Sequence, residues 1–272
     1  YLNIFPLNTK ETCLKISMPE LLNSKKSFNE KELTLGLIGK SISITDIKTS
    51  SWIINSEINN NDLISSAREL GFQPLKEVKY WYKINRNNSC EKKHKIIHSI
   101  ENFNKINKFN ILKVLNFIRS NQPPLIRTLL DLDQKDIFKR NDINSGVLIY
   151  QNEIICTLLK DLNYQHDKIY TLTIGRCWDN RLHPVLKEIV NNFFEKAPSS
   201  IIKTYSESNE LNSYLNDCDL CEKNHQIVLV RNTLVKSESK QTNKINHSLE
   251  SIFEKLNPQG NPFPSPLPVK SK

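Results

Sequence analysis

One stretch constrains the fold more than any other: Asn60–Lys83, NNDLISSARELGFQPLKEVKYWYK. Asp62 is a good N-cap, because its carboxylate accepts the free amides of a first helical turn, and the helix it opens runs to Leu70. Gly71 stops that helix, since only glycine enters the left-handed C-terminal cap without a Cβ penalty. Val78, Tyr80 and Tyr82 then alternate with Lys79, Trp81 and Lys83, the period of a strand. A capped helix turning directly into an alternating strand is a building unit of an α/β chain.

A fainter copy of this setting lies downstream. An offset of 148 positions superposes Ser51 on Ser199, Ile53 on Ile201, Ile54 on Ile202, Asn61 on Asn209, Leu63 on Leu211 and Ser65 on Ser213. Strand, polar turn and helix stay in register without gaps, which indicates two related units. Ahead of the first copy, Leu2–Leu7 and Thr12–Ser17 read as strands, Asn29–Ile42 as a helix and Ser51–Ser56 as a strand. Residues 86–108 read as a basic helical connector with Ile96, Ile97, Ile100 and Phe103 on one face. His94 and His98 share a helical face there, read as solvated rather than metal-binding.

In the second unit, Ile111–Ile118 fits strand or helix equally. Pro123-Pro124 opens a helix extending to about Phe138. Gly146–Tyr150 and Ile154–Leu159 form a hairpin, followed by a strand at Ile169–Gly175, a helix at Pro184–Phe194, a strand at Ile201–Thr204, a helix at Glu210–Asn216 and a last strand at Gln226–Val235. The chain thus divides into residues 1–85, a connector at 86–108, a second unit at 109–236 and a polar tail at 237–272. The tail carries a short helix, His247–Leu256, and a Pro-rich end, Pro258–Pro268, suited to an extended unstructured segment or to docking a protein partner's aromatic groove.

With 272 residues, 38% of them hydrophobic, each unit can bury a core. No run of 18 uncharged apolar residues is present, so the reading is of a chain with no membrane span. The net charge of +9 is carried mostly by dispersed lysines rather than an Arg-rich stripe, which argues against a nucleic-acid partner. Six scattered cysteines suit a reducing, cytoplasmic setting. Cys218-x-x-Cys221 with His225 supplies no second ligand pair and is read as buried thiol chemistry, with no metal. The opening Tyr1-Leu2-Asn3 lacks an initiator Met and reads as a fragment whose natural beginning is missing.

The order strand, strand, helix, strand, helix, strand in residues 1–84 resembles the second half of a domain of the GNAT superfamily of N-acetyltransferases. Residues 109–236 resemble a nearly complete one. The resemblance implies an α/β (α+β) fold of two tandem units, each a mixed, mostly antiparallel sheet flanked by helices, the first truncated at its N-terminus. It further implies that each unit has its own sheet, splayed in the middle, beside Ile169–Gly175 in the second unit. Such a parting admits the pantetheine arm of acetyl-CoA.

The family's cofactor turn, Gln/Arg-x-x-Gly-x-Gly/Ala, lets backbone amides meet the pyrophosphate at a helix N-terminus. By this resemblance Gly175, Arg176, Trp178, Asn180, Arg181 and His183 are the cofactor-binding candidates. With Arg181 in the Gln/Arg place, Pro184 and Leu186 stand where the family has small residues, and a proline has no amide to donate. The first unit's turn, Pro19–Ser27, offers Lys25 and Lys26 instead. The family's acidic Tyr falls on Ala67 in the first unit and on Leu215 in the second, leaving neighbouring Tyr214 as the catalytic candidate. The implied activity is acetyl-CoA-dependent transfer to an amine. The alternative is a non-catalytic pseudo-acetyltransferase serving as a protein- or RNA-binding scaffold.

Overall fold

A computed structural model describes residues 1–18, 30–44, 48–84, 103–162 and 168–233. The Pro19–Ser27 turn, His94, His98, residues 86–102 of the connector and the whole tail lie outside the described residues.

The first half contributes β1 (Ile4–Pro6), β2 (Cys13–Ile16), α1 (Glu30–Ile44), β3 (Ser51–Glu57), α2 (Asn61–Glu69) and β4 (Gln73–Lys83). The second contributes β5 (Phe103–Asn104), α3 (Ile111–Ser120), α4 (Pro124–Leu130), α5 (Gln134–Arg140), β6 (Gly146–Tyr150), β7 (Glu153–Lys160) and β8 (Ile169–Ile174). It closes with α6 (Leu182–Lys196), β9 (Ile201–Tyr205), α7 (Asn209–Asp217) and β10 (Leu220–Asn232). The architecture is mixed α/β, with helices flanking one large mixed sheet.

The helix-to-strand unit forms as its chemistry dictates, with one shift. The N-cap is Asn60, whose side chain accepts the Leu63 amide at 3.0 Å, rather than Asp62. Asp62 instead lies in the first turn, where its charge still favours the helix dipole. At the other end the Phe72 amide reaches the Ala67 carbonyl (3.0 Å) and the Gly71 amide the Arg68 carbonyl (2.9 Å), with Gly71 at φ 82°. This is a Schellman cap, satisfying carbonyls the helix leaves orphaned. The same offset of 148 carries the bounds of α2 onto those of α7. It also pairs N-caps of nearly equal dihedrals (Asn60, −85°, 75°; Ser208, −84°, 67°) and sets Asp219, at φ 60°, where Gly71 stands.

The two halves do not keep separate sheets. Among the described residues one ten-stranded sheet runs β1-β2-β3-β10-β4-β9-β8-β7-β6-β5. The closing strand of the second half, β10, lies antiparallel between β3 and β4, while β4 pairs antiparallel with β9 of the second half. Each half therefore donates its last strand to the other, and the expectation of one sheet per half is corrected. The physical reason is that two-residue alternation marks a strand without naming its neighbour. Val78 and Tyr80 are buried in the donated position just as they would be in their own half. The Trp81 indole N–H crosses the seam to Thr204 Oγ1 (2.9 Å), whose hydroxyl donates to Asn212 Oδ1 (2.6 Å). Residues Tyr1–Thr233 form one compact unit.

Other differences are local. Phe103, expected on a helix, begins β5 and pairs with Leu148. A Cβ on Gly146 would stand 2.5 Å from the Phe103 ring, so that contact requires glycine. Ile111–Ile118 resolves as helix. The single helix expected from Pro123 to Phe138 is two, because Asp131 turns left-handed (φ 37°) and Asp133 with Asp136 builds a capping box for α5. Strand β10 starts at Leu220 rather than Gln226, so Cys221 is a strand residue and Cys218 a buried C-cap of α7.

The parting of parallel strands is present. On one side β8 pairs with β7 through Ile174, but on the other it meets β9 only at Ile169–Thr171. Beyond Thr171 the two strands diverge, leaving one edge of Leu172–Ile174 without a strand partner. In the first half the parallel pairing of β2 with β3 likewise ends at Ile16 and Ile54, although β3 continues to Glu57 beside β10.

Candidate active site

The divergence of β8 and β9 opens a cleft of about 210 Å³ lined by Leu172, Thr173, Ile174, Gly175, Arg176, Trp178 and Tyr205, with Glu207 and Glu210 among its other walls. Thr173 and Tyr205 also line a second, interior cavity of about 110 Å³, so the two hollows share a wall. In a strand, alternate backbone groups point to each side. The unpaired edge of Leu172–Ile174 therefore offers its amides and carbonyls to whatever enters the cleft.

Of the residues expected from the sequence, Gly175, Arg176 and Trp178 come together in this cleft. The Arg176 Nε donates to the Ser120 carbonyl (2.9 Å), and Trp178 packs on Tyr214 with ring centroids 5.4 Å apart. Asn180, Arg181 and His183 lie in the turn that opens α6 but do not line the cleft. Arg181 folds back on Asp179, with Nε at 2.9–3.0 Å and Nη2 at 2.6 Å, stands 3.6 Å from Glu153 and covers the Tyr150 ring at 5.0 Å. Its hydrogen bonds hold the Asp179 carboxyl below the usual range. The Tyr214 hydroxyl donates to the His183 carbonyl (2.6 Å), and burial pushes its pKa up. A phenol so tied is held by the first turn of α6 rather than aimed into either hollow.

The turn can be compared with the diphosphate-binding role expected of it from the sequence resemblance. The Leu182 amide donates to the Asp179 carbonyl (2.9 Å) and the His183 amide to that of Asn180 (3.3 Å), while Pro184 has none. The first three positions of α6 thus have no amide left for a phosphate. Gly175 is no close-approach glycine either, since a Cβ there would meet only the Cys177 carbonyl oxygen at an ordinary 3.6 Å. The opening of α6 therefore offers no helix N-terminal donor from Leu182, His183 or Pro184 to a diphosphate.

Sequence reasoning missed the interior cavity altogether. Its walls carry Lys15 from β2, Lys76 from β4, Arg140 from α5, Lys203 from β9 and Asp161 just beyond β7. Asp161 is ion-paired with Lys203 and accepts the Thr171 hydroxyl at 2.8 Å. Burial alone would raise its carboxyl; the charges of Lys203 and Arg140, with those hydrogen bonds, hold it at about 2. Burial lowers Lys76 to about 7 against the pull of Asp161 and Glu207, and lowers Lys15 to about 8 with repulsion from Lys203. The available signal was a lysine set between apolar neighbours, Leu14-Lys15-Ile16, and one that follows an apolar pair, Ile201-Ile202-Lys203. Both lysines are half-buried along the cavity wall.

No helix among the described residues is long and apolar enough to cross a membrane. No family model and no curated protein matches the chain. Solved structures similar to it include a GCN5-related N-acetyltransferase from Sphaerobacter thermophilus, at 9% identity over 85% of this chain and 76% of that one, with a TM-score of 0.45. A GNAT-family acetyltransferase from Colwellia psychrerythraea aligns at 11% identity over 83% of this chain and 80% of its own, with a TM-score of 0.42. A tandem GNAT protein from the clavulanic acid biosynthesis pathway aligns at 7% identity over 81% and 75%, with a TM-score of 0.42. Many of the similar solved structures are GNAT acetyltransferases, and at such identities the likeness reaches the fold and nothing finer.

Proposed function

We propose that the chain is a tandem GNAT-like acyltransferase, moving an acetyl group from acetyl-CoA to an amine, with the cleft beside β8 as entry for the thioester arm. One observation carries this reading: the cleft and the interior cavity meet at Thr173 and Tyr205. An arm entering from one side and an amine waiting on the other have a common wall at which to meet. The chain's own residues favour the amine's reactive form. An amine must be uncharged to attack, and the cluster of Lys15, Lys76, Arg140 and Lys203 disfavours a further cation beside them.

A second reading, a non-catalytic member of the same fold acting as a scaffold, is favoured by the α6 turn, where Arg181 is engaged by Asp179 and the first three helical positions have no amide to offer. Calorimetric titration separates the two. Micromolar binding of acetyl-CoA supports acyl transfer; no heat with acetyl-CoA sinks it and leaves the scaffold. If the arm provides the affinity, acetyl-pantetheine, which lacks the diphosphate, binds within about tenfold of acetyl-CoA, a difference of about 1.4 kcal/mol. Trp178→Ala, which strips a cleft wall, then weakens both ligands, while Arg181→Ala leaves them nearly unchanged.

A further inference from the structure

The interior cavity has an imbalance of charge that the fold does not resolve. Among the described residues four cationic side chains, Lys15, Lys76, Arg140 and Lys203, line it against one carboxylate, Asp161. That carboxylate is engaged by Lys203 and Thr171. Among the described residues Lys15 and Lys76 form no ion pair. Their ammonium groups instead lie near aromatic rings, Lys15 at 5.6 Å from Phe5 and Lys76 at 3.4 Å from Tyr205. Arg140 gives Nη2 to the Leu7 carbonyl at 3.2 Å, and its Nε is buried with no hydrogen-bond partner.

Gathering half-buried cations around a single carboxylate is costly, and leaving a guanidinium N–H buried and unpaired among the described residues adds to that cost. Apolar residues at these positions would pack at no such cost. We propose that this cavity is a binding site for the carboxylate or phosphate group of a small metabolite, gripped by Lys15, Lys76 and Arg140. An oxyanion supplies acceptors to Arg140 Nε and counter-charge to both ammonium groups, and charge-assisted bonds of this kind are the strong ones. The volume suits one such group with a few waters rather than a large ligand. The site belongs to the exchanged assembly, since Lys15 and Lys76 come from the first half and Arg140 from the second.

Proton linkage follows from the same geometry. Burial holds Lys76 near 7 and Lys15 near 8. The charged groups bearing on them are Lys203, Asp161 and Glu207, with Arg140 and Tyr205 also on the cavity wall. A bound anion restores both ammonium charges, so binding takes up protons and strengthens as pH falls from about 9 towards 6.5.

None of this needs a thioester, and its test is run without one. Inorganic phosphate and succinate are titrated calorimetrically into the whole chain. Heat with either anion, at millimolar or better affinity, is the expected result, and which anion binds identifies its source. Lys15→Gln and Lys76→Gln each weaken binding at least tenfold, whereas Asp161→Asn, which frees Lys203, tightens it. Opposite signs separate a ligand role from a structural one, for which all three substitutions act alike. The unmodified chain gives a check independent of variant folding: succinate affinity falls between pH 6.5 and 9. No heat with either anion, or an affinity for succinate that does not fall over that range, overturns the proposal.

Discussion

Gly71 and Asp219 occupy the same place after equivalent helices, at φ 82° and φ 60°, yet only one has the residue the geometry prefers. A Cβ on Gly71 would meet nothing within 4 Å, so Gly71→Ala has only the backbone term to lose. That term is about 1 kcal/mol for a non-glycine residue in the left-handed region. Asp219→Gly works the other way, with a gain of about 0.5 kcal/mol, because aspartate tolerates this region better than alanine does. Urea midpoints moving in opposite directions at unchanged slope would confirm both; a shift of the same sign would refute the equivalence. Gly71 was legible because its neighbours spell a cap, whereas Asp219 looks like any surface acid. The half-buried lysines were illegible for a related reason, since a strand lysine is ordinarily read as solvent-facing. Their titration has a definite sign. Lys76 is lowered from 10.5 to about 7, so between those values the unfolded chain holds a proton the folded chain does not, and stability rises with pH. Lys15, lowered to about 8, adds to that rise. Asp161 contributes stability above about 4 that disappears as pH falls towards 2. Denaturation midpoints that climb from pH 7 to 9, and climb less steeply in Lys76→Met, are the expected result.

At the scale of elements, strongly periodic segments formed where their pattern placed them, and the failures fall at junctions. The break between α4 and α5 follows a run, Leu129-Leu130-Asp131-Leu132-Asp133, that contains no glycine or proline to announce it. What makes it is the pair Asp133 and Asp136. Asp136 is fully buried; one oxygen accepts the Asp133 amide (2.8 Å) and the other the Thr9 amide (2.6 Å) in the turn between β1 and β2. One carboxylate therefore caps a helix of the second half and fastens a turn of the first. Asp136→Ala orphans two amides and should cost about 2–3 kcal/mol in chemical denaturation, charged acceptors being worth more than neutral ones. Asp136→Asn, which keeps one acceptor, should cost less. The cleft belongs to this scale as well. The strand Ile169–Gly175 and the helix after it were readable, but where β8 leaves β9 depends on pairing across the sheet, which no local pattern encodes.

For the whole molecule, the exchange of closing strands decides how the chain comes apart. Strand β10 is hydrogen-bonded on both edges to strands of the first half, and β4 is the neighbour of β9 in the second. Neither half has a complete sheet without the other. The Trp81–Thr204–Asn212 chain of hydrogen bonds is buried at that junction, where water cannot replace a lost partner. Residues 1–233 should consequently melt in one cooperative transition, with calorimetric and van't Hoff enthalpies in agreement. Two independent domains would give two transitions or an enthalpy ratio well above one. A chain ending at Asp219 makes the sharper test. It lacks β10, so β3 and β4 lose the strand between them and present the open edges that promote aggregation. With separate sheets, that truncation would spare the first half, which would keep its own melting transition and its protected amides in β3 and β4. With exchanged strands it removes an inner strand of the ten-stranded sheet, and hydrogen exchange should find protection lost in β3 and β4, about 140 residues or more before the cut.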